Sequence, residues 1–94
     1  MLTHKTISTA ITRMASSYPI KRASYFGSYA EGRQTEDSDL DILLEFHVPA
    51  VSLIMLSSIK NDLETQLKIP VDIIHAPLTQ SAIIEIGNEV LVYG

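Results

Sequence analysis

Along the first part of the chain Leu2, Ile7, Ala10, Ile11 and Met14 recur at helical spacing, which predicts an amphipathic helix over roughly residues 3–16. It must stop before Pro19, whose ring disfavours helical backbone in the residue ahead of it. Ile20 to Phe26 alternates weakly and is rich in aromatic and small residues, the signature of a short strand. Gly27 and Gly32 then bracket four residues, enough for about one helical turn, and polar Arg33 to Ser38 reads as a loop. Leu40 to Phe46 is the clearest strand. Its alternation sends Leu40, Ile42, Leu44 and Phe46 to one face and Asp39, Asp41, Leu43 and Glu45 to the other. After Pro49, Leu53, Leu56, Ile59, Leu63 and Leu67 fall three or four apart and predict a helix of about four turns. Pro70 opens "PVDIIHA", an apolar strand carrying Asp72, and Thr79 is placed to cap a further helix to about Ile86, ended by Gly87. "EVLVY" closes the chain as a short strand or extended tail. The succession predicts an α/β (α+β) fold, one small sheet with helices packed on one side. Strand order and direction stay open.

Composition narrows the setting. Ninety-four residues suit one domain, residues 1–94, without a second core. A hydrophobic content of 46% with four Pro and four Gly is that of a globular chain. There is no cysteine, which removes disulfides and thiolate metal sites and suits a reducing cytoplasm. The N-terminal stretch is polar throughout, unlike a secretory signal, and no apolar run approaches membrane-spanning length, so a soluble protein is expected. The net charge is −4, with Lys5, Arg13, Lys21, Arg22, Arg33, Lys60 and Lys68 scattered. That disfavours nucleic acid as the main partner but leaves a single nucleotide open.

The chemistry lies in "YFGSYAEGRQTEDSDLDILLEF". Asp39 and Asp41 share one strand face at about 6.6 Å along the backbone. Two ionised carboxylates at that separation repel by roughly 2.5 kcal/mol at an effective dielectric near 20. Either water screens such a pair at a strand end or a cation sits between its members. If Asp72 comes alongside on a neighbouring strand, three oxygen ligands suit a hard divalent ion, most simply Mg²⁺. Gly27, between a strand and a helical turn, lets an anion approach outward-pointing N–H groups, and Ser28 adds a hydroxyl. A phosphate cradle beside metal-binding acids describes a site for a nucleoside triphosphate.

Gly27-Ser28, ten residues, then Asp39-Leu40-Asp41, with Asp72 on the strand after the next helix, resembles the signature of the DNA polymerase β-like nucleotidyltransferase superfamily. The short length and the ending "EIGNEVLVYG" are most similar to the minimal nucleotidyltransferase (MNT) group. The resemblance implies that fold, with a small mixed sheet, and a catalytic and metal-binding trio of Asp39, Asp41 and Asp72 holding two Mg²⁺ ions. Gly27 and Ser28 would hold the triphosphate of ATP. It further implies transfer of AMP to a hydroxyl, with a tyrosine of a partner HEPN toxin as the acceptor. The chain would then be the antitoxin of a type VII-like toxin–antitoxin pair in the cytoplasm. The alternative is a non-catalytic module that neutralises its partner by covering it. Where many relatives read Ala-Arg-Gly this chain has Ala30-Glu31-Gly32, and Arg33 would fall on the wrong face of a continued helix. Larger relatives carry a further domain for the acceptor, for which this chain has no room.

The remaining polar residues read as structural. His75 falls on the face opposite Asp72, His4 and His47 are surface residues, and Glu45 is a salt-bridged or edge residue. Tyr25, Tyr29 and Tyr93 are packing residues with wet hydroxyls.

Overall fold

A computed structural model describes residues 3–33, 38–75 and 89–94. Leu2, on the first apolar stripe, and the helix expected from Thr79 to Gly87 lie outside the described residues.

Helix α1 spans His4–Ser17 and is capped by Thr3, whose hydroxyl accepts from the Thr6 N–H at 3.3 Å. It buries Ile7, Ala10, Ile11, Met14 and Ala15. Tyr18 ends it in extended backbone, as a residue before proline should. Its phenol then donates to Asp62 at 2.9 Å. Strand β1 is Ile20–Phe26, the four-residue helix α2 is Ser28–Glu31, and strand β2 is Leu40–Phe46. Helix α3 covers Leu53–Leu67 with Ser52 as its cap, strand β3 Val71–His75 and strand β4 Glu89–Tyr93.

The four strands form one mixed sheet in the order β3-β2-β1-β4. β1 runs antiparallel to both β2 and β4, while β2 and β3 are parallel. A parallel pair needs a crossover, and α3 supplies it. Leu40, Ile42 and Leu44 are buried against one cluster with Ile7, Ile11 and Met14 of α1 and Ile59, Leu63 and Leu67 of α3. Both long helices therefore cover the same side of the sheet. Asp41, Leu43 and Glu45 alternate onto the other side.

Helix α3 departs from its expected stripe. Ile59, Leu63 and Leu67 are buried, but Leu53 is 81% exposed, as is its neighbour Ile54. Fifteen residues of helix extend about 22 Å, whereas the five of β3 extend about 17 Å. The first turn of α3 overhangs its strand. The helix stops where Lys68 adopts φ 59°, its N–H bonded to the Glu64 carbonyl at 2.8 Å.

Tyr25 is only 4% exposed, and its hydroxyl meets His4 Nδ1 at 2.6 Å. The hydroxyl expected to be wet is tied to a histidine expected to be a plain surface residue. Burial raises the Tyr25 phenol above its ordinary range. Tyr25→Phe removes both the hydroxyl and its need for a partner and should cost about 1 kcal/mol. His4→Ala strands a buried hydroxyl and should cost more, about 1–3 kcal/mol. Urea melts of the two variants check that order.

Candidate active site

The site is assembled by register. In the parallel pairing Asp41 stands opposite Asp72, and in the antiparallel pairing Phe26 stands opposite Asp41. Adjacent strands are about 4.8 Å apart, so Asp72 and the end of β1 flank Asp41 from opposite sides. Two bonds hold this alignment. The Leu40 N–H donates to the Pro70 carbonyl at 3.0 Å, and the Val71 N–H donates to Glu64 Oε2 at 2.9 Å. Glu64 was not singled out from the sequence. Its position near the end of α3, three residues before Leu67, carries no chemical signature, and only the tertiary fold brings it to the first N–H of β3.

Beyond Phe26 the chain turns at Gly27, with φ 78° and ψ −150°, a conformation almost exclusive to glycine. A Cβ there would lie 2.5 Å from Asp41 Oδ2. The backbone before α2 thus runs directly against the Asp41 carboxylate. The first N–H of α2 bonded within the helix is that of Glu31, to the Gly27 carbonyl at 3.1 Å. The N–H groups of Ser28, Tyr29 and Ala30 precede it and have no acceptor within the helix. Tyr29 and Ala30 rest on the core, which fixes the turn beside the acids.

Gly32 ends α2 in left-handed backbone, φ 72° and ψ 20°. Arg33 therefore does not continue a helix. Its N–H bonds the Ser28 carbonyl at 2.9 Å, and its guanidinium pairs with Glu31. Because the helix has already ended, a helical wheel does not place Arg33, and its guanidinium offsets the Glu31 charge locally.

Asp39 and Asp72 are exposed and Asp41 is half-buried. Burial first, then the charges of Asp72 and Asp39, hold the Asp41 carboxyl above the ordinary carboxylate range. The ion pairs among the described residues join Lys21 to Glu45, Arg22 to Glu89 and Arg33 to Glu31, and none reaches these acids. Among the described residues no three acidic or histidine side chains form a ready metal cage. The parallel pairing brings the acids to one end of the sheet, and mutual repulsion of like charges opposes the final approach of their carboxylates. The donor set nonetheless fits a hard divalent cation: all oxygen, uncompensated by protein cations among the described residues, and closed on one side by a glycine whose Cβ would fill the gap.

Of the other candidates, Glu45 is ion-paired with Lys21 at 3.6 Å. His75 is exposed and makes an edge contact with Phe46 at 6.4 Å between ring centroids, and His47 is exposed. No helix among the described residues is long and apolar enough to cross a membrane.

Residues 7–91 match the nucleotidyltransferase domain family. A candidate protein adenylyltransferase of Methanocaldococcus jannaschii is 41% identical over 73 residues, which are 72% of this chain and 74% of that protein. The protein adenylyltransferase MntA of Thermococcus cleftensis is 31% identical over 98 aligned positions, covering 99% of this chain and 97% of the relative. Among solved structures, a toxin–antitoxin with AMP-PNP superposes with a TM-score of 0.79 at 19% identity, covering 93% of this chain and 73% of that one. A candidate minimal nucleotidyltransferase superposes with a TM-score of 0.74 at 29% identity, covering 92% and 88%. The chain belongs to the nucleotidyltransferase domain family, on its minimal, protein-adenylyltransferase branch.

Proposed function

We propose that this protein transfers AMP from ATP to a hydroxyl of a partner HEPN toxin, a tyrosine by preference, and so acts as the antitoxin of the pair. The observation that carries the reading is the register placing Asp41 between Asp72 and Gly27. Ser28 and the N–H groups at the start of α2, which have no acceptor within the helix, would hold the triphosphate, with Gly27 allowing it close to the sheet. Asp39, Asp41 and Asp72 would hold two Mg²⁺ ions. When bound, these ions neutralise charge on the transferring phosphoryl group and ease ionisation of the attacking hydroxyl. The acceptor oxygen bonds to the α-phosphorus, the bridging bond to the β-phosphate breaks, the hydroxyl proton leaves and pyrophosphate departs. The relatives that support the partner include a tri-AMPylated Shewanella oneidensis HEPN toxin in complex with an MNT antitoxin, similar in fold with a TM-score of 0.73 at 14% identity. The lack of cysteine suits work in a reducing cytoplasm.

The second reading, a module that neutralises by contact alone, rests on Glu31 beside the phosphate cradle where many relatives have arginine. Arg33 now offsets that charge. Incubation with α-labelled ATP, Mg²⁺ and the product of the adjacent gene separates the two. Label should appear on the partner with the wild type and vanish with Asp39→Ala and Asp41→Ala. Neutralisation that survives both substitutions, with no label transferred, would leave contact alone as the mechanism.

A further inference from the structure

The three acids are not held equally. Asp39 immediately precedes β2 and Asp41 lies within it, and β2 is paired on both sides, with β1 and with β3. Asp72 lies on β3, an edge strand of five residues paired on one side only. That single pairing is parallel, slightly less stable per residue than an antiparallel one. Of the five residues Val71 alone is buried. The place of Asp72 therefore depends on the connection that delivers the chain to β3.

Lys68, Ile69 and Pro70 make that connection, and Glu64 ties both of its ends. The Glu64 carbonyl accepts from the Lys68 N–H at 2.8 Å, where the helix stops in left-handed backbone. The Glu64 carboxylate accepts from the Val71 N–H at 2.9 Å, one residue before Asp72. A bond to an ionised acceptor is stronger than one between neutral groups. The carboxylate is half-buried and forms no ion pair among the described residues. It stands in the last turn of α3, where the helix dipole disfavours negative charge. An acid there weakens the helix, and the bond to β3 offsets that loss.

We propose that Glu64 is the positioning residue for Asp72: by holding the Val71 N–H it sets where the Asp72 carboxylate stands beside Asp41. The inference rests on the nucleotidyl-transfer reading above and deepens it. Val71 belongs to the core under the helices, whereas Asp72 stands opposite Asp41 on the other side of the sheet. Glu64 therefore reaches the site through the backbone alone. Glutamine, whose amide oxygen accepts the same bond, should replace it. Alanine has no acceptor, and aspartate keeps the charge but falls a methylene short of the Val71 N–H, so neither should.

The test uses the full chain and reads Mg²⁺ affinity by calorimetry, hydrogen exchange at the Val71 amide, and AMP transfer to the adjacent-gene product. Glu64→Ala and Glu64→Asp should each lower Mg²⁺ affinity and kcat about tenfold, the usual scale for a residue that orients a metal ligand. Exchange at the Val71 amide should quicken in both. Affinity for a fluorescent ATP analogue without metal should stay within about twofold, because the Gly27 side is untouched. Glu64→Gln should match wild type throughout. Ile59→Val, a destabilising change in the buried core of the same helix, should leave Mg²⁺ affinity as it is. In an Asp72→Ala background, Glu64→Ala should lower Mg²⁺ affinity no further, since the two act as one unit. Wild-type Mg²⁺ affinity in Glu64→Ala and Glu64→Asp would overturn the proposal. So would a loss in Glu64→Gln equal to that in Glu64→Ala, or an undiminished loss in the Asp72→Ala background. If the wild type transfers no AMP, the catalytic reading fails by itself, and the positioning role is judged on Mg²⁺ affinity and Val71 exchange in the same variants.

Discussion

Asp41→Asn should abolish AMP transfer and, without ligands, raise the melting temperature. The loss follows from the position of Asp41 at the centre of the proposed metal site, between Asp39 and Asp72. Lewis-acid stabilisation of a transferring phosphoryl group is worth several kcal/mol, so a drop of about three orders of magnitude is expected. The gain follows from the same geometry. The Asp41 carboxyl is held above its ordinary value of 3.8 by burial and by the charges of Asp72 and Asp39. A group whose folded pKa exceeds its unfolded one binds its proton more tightly in the native state. Stability therefore falls as pH rises from 3.8 through the raised folded value, and above that value the penalty is complete. Asparagine keeps the shape and removes the charge. The melting temperature of Asp41→Asn should exceed that of wild type most at neutral pH, and the difference should shrink as pH is lowered toward 3.8. Mg²⁺ should raise the wild-type melting temperature, since binding to the native state stabilises it, and should act less on the variant. A lower melting temperature for Asp41→Asn at pH 7 would contradict the electrostatic account.

Gly27→Ala should damage both stability and activity, whereas Gly32→Ala should damage stability alone. Both glycines have positive φ, 78° and 72°. At Gly27 the backbone occupies a region nearly closed to other residues, at a cost of about 1–3 kcal/mol. The new Cβ would also lie 2.5 Å from Asp41 Oδ2 and force that carboxylate aside. At Gly32 the left-handed conformation costs about 1–2 kcal/mol, but a Cβ meets nothing within 4 Å. Thermal melts should show losses of similar size, about 4–8 °C per kcal/mol for a domain of this length. AMP transfer and Mg²⁺ affinity should fall sharply only in Gly27→Ala. Equal activity in the two variants would detach Gly27 from the site.

Local patterns in the chain carried the elements. Alternation over Leu40–Phe46 depends on a two-residue side-chain period, and Gly27 and Gly32 mark a helical turn because few other residues adopt their backbone. These are nearest-neighbour effects, and β1, α2 and β2 fall where they require. The same patterns place Asp39 and Asp41 on one face of β2, and they isolate Asp72 on a strand of its own. Which strands are neighbours is a different kind of fact. The order β3-β2-β1-β4 depends on how α3 packs back across the sheet, and no spacing within a strand encodes it. That order decides that Asp72 stands beside Asp41 and that Gly27 closes the other side. The exposure of Leu53 and Ile54 has a similar origin. The spacing of Leu53 belongs to the buried stripe, and only the length of α3 against the shorter β3 leaves it, with its neighbour Ile54, in water. Side-chain periodicity is written into neighbouring residues, whereas register and overhang arise when elements distant in sequence compete for the same apolar surface.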